Sequence, residues 1–114
     1  MEPKALVEQI CSVLSEKKAA NLVSIEVSDM TVVTDYFVIA SGRSTTQVKG
    51  LYENLDEAME KIGVTPIRTE GIAGAKWIAM DYGSVIVHLF LEETRQFYHL
   101  DRLWDKGNNV TKYE

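Results

Sequence analysis

Apolar residues recur every three or four positions near the start of the chain, at Leu6, Val7, Ile10, Val13 and Leu14. That period gathers them on one face of a helix. Pro3 suits the first turn, where a missing N–H costs nothing, and Lys17 and Lys18 suit the negative end of the helix dipole. The pattern predicts a helix over residues 3–19. From Leu22 the period becomes two. Val23, Ile25 and Val27 point one way and Ser24, Glu26 and Ser28 the other, which predicts a strand with one wet face, near a sheet edge. Asp35 to Ser41 is apolar on both faces and predicts a covered, central strand.

Gly42 ends that run. Ser44 and Gln47 have the spacing of a capping box, in which the Ser oxygen accepts a backbone N–H at the start of a helix. Val48, Leu51, Leu55, Met59 and Ile62 then form one apolar stripe, and Gly63 supplies a left-handed stop. Pro66 to Thr69 reads as a short strand, and Gly71 and Gly74 as a mobile loop.

Residues 76–91 are two strong β runs separated by Gly83-Ser84, a two-residue type II′ turn with glycine at its first central position. The turn sets the register. Tyr82 faces Val85, Met80 faces Val87 and Ile78 faces Leu89, an apolar face assigned to the helices. On the other face Asp81 meets Ile86, Ala79 meets His88 and Trp77 meets Phe90. The chain then predicts a terminal helix that begins at about Glu92, carries Phe97, Leu100, Leu103 and Trp104 on one face, and stops at Gly107. Residues 107–114 read as a polar, frayed tail behind a single domain of residues 1–106.

Composition narrows the function classes. A 114-residue chain with 46% hydrophobic and 25% charged residues is a single globular domain. A net charge of −5 repels a phosphate backbone and suits a basic protein partner. The single cysteine, Cys11, lies in an apolar helical stretch and reads as a small core residue. No apolar run reaches membrane-spanning length and the N-terminus has no signal-peptide core, so a cytoplasmic protein is expected.

Candidate chemistry is sparse. Asp81 and His88 are diagonal neighbours in the hairpin, which is half of a catalytic triad without a nucleophile beside it; the plainer reading is a carboxylate that fixes a histidine tautomer, or an interface pair. Neither histidine has a His-x-x-x-His partner or a carboxylate cluster, so no metal and no cofactor are expected. Gly42-Arg43-Ser44 could hold an anion at a helix start, or simply cap the helix. Aromatic content concentrates late in the chain. Trp77 and Phe90, on the sheet face away from the helices, are favoured as interface residues, and Trp104 is open between core and interface.

Three ordered segments resemble the RsfS/Iojap family of ribosomal silencing factors: Thr34 to Gly42 with Ser44; Glu70-Gly71, Trp77, Asp81-Tyr82-Gly83 and Val87 to Phe90; and Arg95 to Tyr98 with Leu100, Leu103 and Trp104. The resemblance runs over residues 34–105 and leaves out Gly107 onward. It implies an α/β (α+β) single domain with a mixed sheet of about five strands packed with helices, distantly like nucleotidyltransferases without their catalytic carboxylates. It implies binding to the large ribosomal subunit at its protein fourteen, steric exclusion of the small subunit, repression of translation, and a homodimer when free. The family's shared surface maps onto Trp77, Asp81, Tyr82, His88, Phe90, Arg95, Tyr98, Leu103 and Trp104, with no catalytic residue. Two alternatives stand beside it: a degenerate nucleotidyltransferase-like enzyme that uses Asp81 and His88, and a homodimeric scaffold.

Overall fold

In a computed structural model, which describes residues 1–113, the predicted elements form in the predicted order. They are α1 (Pro3–Glu16), β1 (Ala20–Glu26), β2 (Tyr36–Gly42), α2 (Thr45–Lys61), β3 (Arg68–Glu70), β4 (Trp77–Asp81), β5 (Val85–Leu91), α3 (Glu92–Tyr98), α4 (Leu100–Trp104) and β6 (Val110–Lys112). Among the described residues six strands make one sheet, in the order β3-β4-β5-β2-β1-β6. Only β2 and β5 run parallel, so the sheet is mixed as expected, with one strand more.

The extra strand is the segment expected to fray. Val110, Thr111 and Lys112 pair antiparallel with Ile25, Ser24 and Val23. β1 is therefore one in from the edge, and its expected wet face is covered only at Ser24, which is buried with its hydroxyl 2.9 Å from that of Tyr113, while Glu26 and Ser28 are exposed. β1 also carries a bulge between Ala20 and Val23, with Asn21 at a φ of 49°.

Local signals act where the spacing put them. Ser44 Oγ accepts the Gln47 N–H at 3.1 Å, and Gln47 Oε1 accepts the Arg43 N–H at 2.7 Å, so this corner is occupied by helix capping. Gly63 takes a φ of 79° just past the end of α2. α1 ends three residues earlier than predicted, because Lys18 turns left-handed at a φ of 64°.

α1 and α2 cover one face of the sheet. Leu6, Ile10 and Leu14 from α1 and Val48, Leu55 and Met59 from α2 pack with Ile78, Met80, Val85, Val87 and Leu89, the face predicted for the helices. Cys11 belongs to this core, and burial pushes its thiol up to about 11. The opposite face holds a second core of Val23, Ile25, Val27, Phe37, Ile39 and Phe90, covered in part by α4.

Candidate functional site

The hairpin of β4 and β5 has the predicted register, with Asp81 opposite Ile86, Ala79 opposite His88 and Trp77 opposite Phe90. Gly83 takes a φ of 91°, which glycine adopts without strain, and Ser84 keeps a negative φ, as a type II′ turn requires. Asp81 stabilises this turn directly: its Oδ1 accepts the Gly83 N–H at 2.8 Å.

That bond corrects the expected pairing of Asp81 with His88. The imidazole is held instead by Trp77, whose indole N–H donates to His88 Nδ1 at 2.9 Å. Nδ1 is thus the acceptor, and the proton of the neutral ring sits on Nε2. Nε2 is buried and has no protein hydrogen-bond partner among the described residues. Burial lowers the His88 pKa to about 4, so the ring is neutral at pH 7. Asp81 and His88 do not form a catalytic pair, and no group of three metal-capable side chains occurs among the described residues.

His88 is one member of an aromatic row that crosses the sheet face. Phe97 meets Tyr98 at 5.1 Å between ring centroids, and Tyr98 meets Trp77 at 5.0 Å. Trp77 lies 4.8 Å from Phe90 and 5.9 Å from His88. His88 is 5.2 Å from Phe37, and Phe37 is 5.1 Å from Trp104. The row emerges into solvent at the α3 end, where Phe97 is 80% and Tyr98 51% exposed, and Leu103 of α4 is 73% exposed. A cleft of about 510 Å³ opens beside it, lined by Lys76, Trp77, Glu93, Phe97 and Tyr98.

The nine residues expected on one surface therefore separate. Trp77, Asp81 and Trp104 are half-buried, and Tyr98 and Leu103 are exposed. Phe90, expected at an interface, is completely enclosed, because α3 and α4 fold back over the face that the strand pattern left uncovered. His88 is buried as well, with its ring between Trp77 and Phe37. Tyr82 is buried on the helix side, where burial pushes its phenol pKa up.

Arg95 is a further correction. It is 8% exposed, and its guanidinium donates to the Asn21 carbonyl at 2.7 Å, to Ser41 Oγ at 2.9 Å and to Asp101 at 3.3 Å. Arg95 ties α3 to the β1 bulge and to α4; its role in the monomer is internal.

Two features escaped the pattern reading. The terminal helix is broken, because His99 turns left-handed at a φ of 51° and its N–H closes α3 on the Arg95 carbonyl. The break rotates Phe97 out of the face it was expected to share with Leu100 and Trp104. Gly71 is the second. The loop around it, expected to be mobile, is a closed turn in which the Ala75 N–H meets the Gly71 carbonyl at 3.0 Å. A Cβ on Gly71 would overlap the Trp77 carbonyl oxygen, so this glycine lets the loop pack against the site.

The family described as "Ribosomal silencing factor during starvation" (RsfS) matches residues 1–114, and so takes in the segment after Gly107 that the motif resemblance left out. The chain belongs to the RsfS family. RsfS proteins similar to it include that of Zymomonas mobilis, 33% identical over 94% of this chain and 80% of the relative. That of Haemophilus influenzae is 34% identical over 88% of this chain and 98% of the relative. The mouse protein called "Mitochondrial assembly of ribosomal large subunit protein 1" is 32% identical over 86% of this chain, which spans 44% of that longer protein. Iojap proteins of Arabidopsis thaliana are also similar. Among solved structures, a Chromobacterium violaceum protein superposes with a TM-score of 0.88 at 26% identity, over 96% of this chain and 92% of that one. RsfS is the name of a regulatory factor, and this chain carries the family's fold throughout.

Proposed function

We propose that this RsfS protein binds the large ribosomal subunit through the exposed end of the aromatic row, and that its bulk then excludes the small subunit and represses translation. The observation that carries the proposal is the run Phe97–Tyr98–Trp77, which leaves two exposed rings and an adjoining half-buried indole on a small acidic domain. Aromatic side chains of this kind dominate the energetics of protein interfaces. The name of the mouse relative refers to the large ribosomal subunit, which agrees with the choice of subunit. The partner on that subunit is its protein fourteen, at the face that meets the small subunit, as the family resemblance implies. A net charge of −5 suits a basic protein embedded in ribosomal RNA better than the RNA itself.

Of the nine residues in the shared surface, Trp77, Asp81, Tyr98, Leu103 and Trp104 make the contacts. His88 and Phe90 support them from beneath, Arg95 ties α3 to the sheet, and Tyr82 packs in the helix-side core. The free protein pairs as a homodimer through the same rings, exclusive of the ribosome, in the cytoplasm. Against the enzyme alternative built on Asp81 and His88 stands their bonding, since Asp81 binds the turn and His88 binds Trp77.

Sedimentation tests the proposal. Large subunits are mixed with the protein and small subunits are then added. The intact-ribosome peak shrinks as the factor rises, and a Trp77→Ala, Tyr98→Ala double variant restores it. An undiminished peak at saturating wild-type protein rejects the reading.

A further inference from the structure

The second core is closed by a segment that buries little of itself. None of the five residues of α4 is buried, and it touches this core through half-buried Leu100 and Trp104. A short element with so few enclosed side chains opens at a free energy well below that of global unfolding. Its junction with α3 is His99, a non-glycine residue held in the left-handed region that L side chains disfavour. The fastenings are polar and partly wet. Asp101, with its side chain 36% exposed, reaches Arg95 at 3.3 Å. Lys106 pairs with exposed Asp29. The Asn109 amide donates to the carbonyls of Trp104 at 3.0 Å and Glu26 at 2.9 Å.

One ring in from Trp104 is Phe37, and beside Phe37 stands His88, whose Nε2 has no protein acceptor among the described residues. Its ring stands between Trp77 and Phe37, and Phe37 is capped by Trp104. A buried N–H with no protein acceptor gains a hydrogen bond wherever water can reach it. Apolar burial under Leu100 and Trp104 pulls the other way. The two opposing terms meet at a single hinged element.

From this we infer that α4 is a strap that turns about His99, released when Asp101 lets go of Arg95, and that its opening uncovers Phe37 and His88 while the helix-side core stays shut. Lifting the strap also moves Leu103 and Trp104, so it controls the shape of the proposed ribosomal surface. That use presupposes the ribosomal role, whereas the opening itself does not.

The two histidines make an internal comparison, since His99 is exposed and His88 is buried. The full chain is treated with diethyl pyrocarbonate, both histidines are followed by mass spectrometry, and backbone hydrogen exchange is measured in parallel. His99 reacts at the rate of a free histidine. His88 reacts more slowly than His99, but faster than the global opening reported by the amides of α1 and β5. Asp101→Asn speeds His88 by about five-fold, the upper range for losing a partly exposed ion pair, and leaves α1 and β5 protection unchanged. Asn109→Ala releases the other end of the strap without touching Arg95 and gives the same pattern should Asp101→Asn fold poorly. Three results overturn the strap: His88 reacting only with global unfolding in all proteins, His88 reacting as fast as His99 in the wild type, or equal loosening of α1 and β5 in the variants. A failure of the sedimentation assay alters none of these readouts.

Discussion

Trp77 donates its indole N–H to Nδ1 of His88 at 2.9 Å, between residues that lie two register pairs apart on β4 and β5. This bond fixes the imidazole tautomer, places the ring proton on a buried, unpartnered Nε2, and makes the neutral form the only one that fits. A protonated Nδ1 would meet the indole N–H head on, donor against donor.

Stability accordingly depends on His88 in mild acid. The unfolded histidine titrates at its ordinary 6.5, and the folded one only at about 4. Between these values the unfolded chain binds a proton that the folded chain refuses, so stability falls as pH drops from about 7 to about 4 and then levels off with respect to this group. The full effect is about 3 kcal/mol. Urea unfolding at pH 7, 5.5 and 4.5 checks it against His88→Phe, whose pH dependence over this range is flatter.

Replacing Arg95 tests whether it is a contact residue or an internal tie. Arg95→Ala leaves the Asn21 carbonyl, Ser41 and Asp101 without their shared donor. We expect a loss of about 2–3 kcal/mol, the scale for losing hydrogen bonds from a buried charged group, seen as a lower Tm in the isolated protein. An unchanged Tm assigns Arg95 to a surface role.

Phe90 and Phe97 separate core from surface within one aromatic row. Phe90 is 0% exposed and Phe97 80%. Phe90→Ala costs about 3–5 kcal/mol through the cavity it leaves. Phe97→Ala shifts stability by less than about 0.5 kcal/mol and, on the proposed function, raises the factor concentration needed to deplete intact ribosomes. Equal destabilisation by the two variants contradicts the exposure of the α3 end.

Gly71→Ala is expected to destabilise by more than about 1 kcal/mol. The residue sits at a φ of 87°, and a Cβ there overlaps the Trp77 carbonyl oxygen. Gly74→Ala, with open space around its Cβ position, is nearly neutral. Thermal melts of the pair check the contrast.

Much of this molecule was legible in the chain because its elements announce themselves locally. The Gly83-Ser84 turn sets the β4–β5 register through the backbone twist it imposes, and every predicted cross-strand pair was found. Ser44 and Gln47 cap α2 through contacts three and four residues apart. The surface was less legible. Alternation along β5 put Phe90 and His88 on one face, yet nothing in a strand says what covers that face. The cluster around Phe90 is covered by Trp77 and by Leu100 and Trp104 of α4, a helix that follows a left-handed His99 no glycine signals.

Periodicity and turn chemistry thus determined which segments are helices and strands, which face of the hairpin meets α1 and α2, and which side chains share the aromatic face, since each depends on neighbours a few residues away. The tertiary structure decided which of those aromatics see solvent, where Arg95 spends its charge, and that residues 110–112 complete the sheet. Those outcomes depend on contacts between positions such as Arg95 and Asn21, or Ser24 and Tyr113, brought together only by the folded chain.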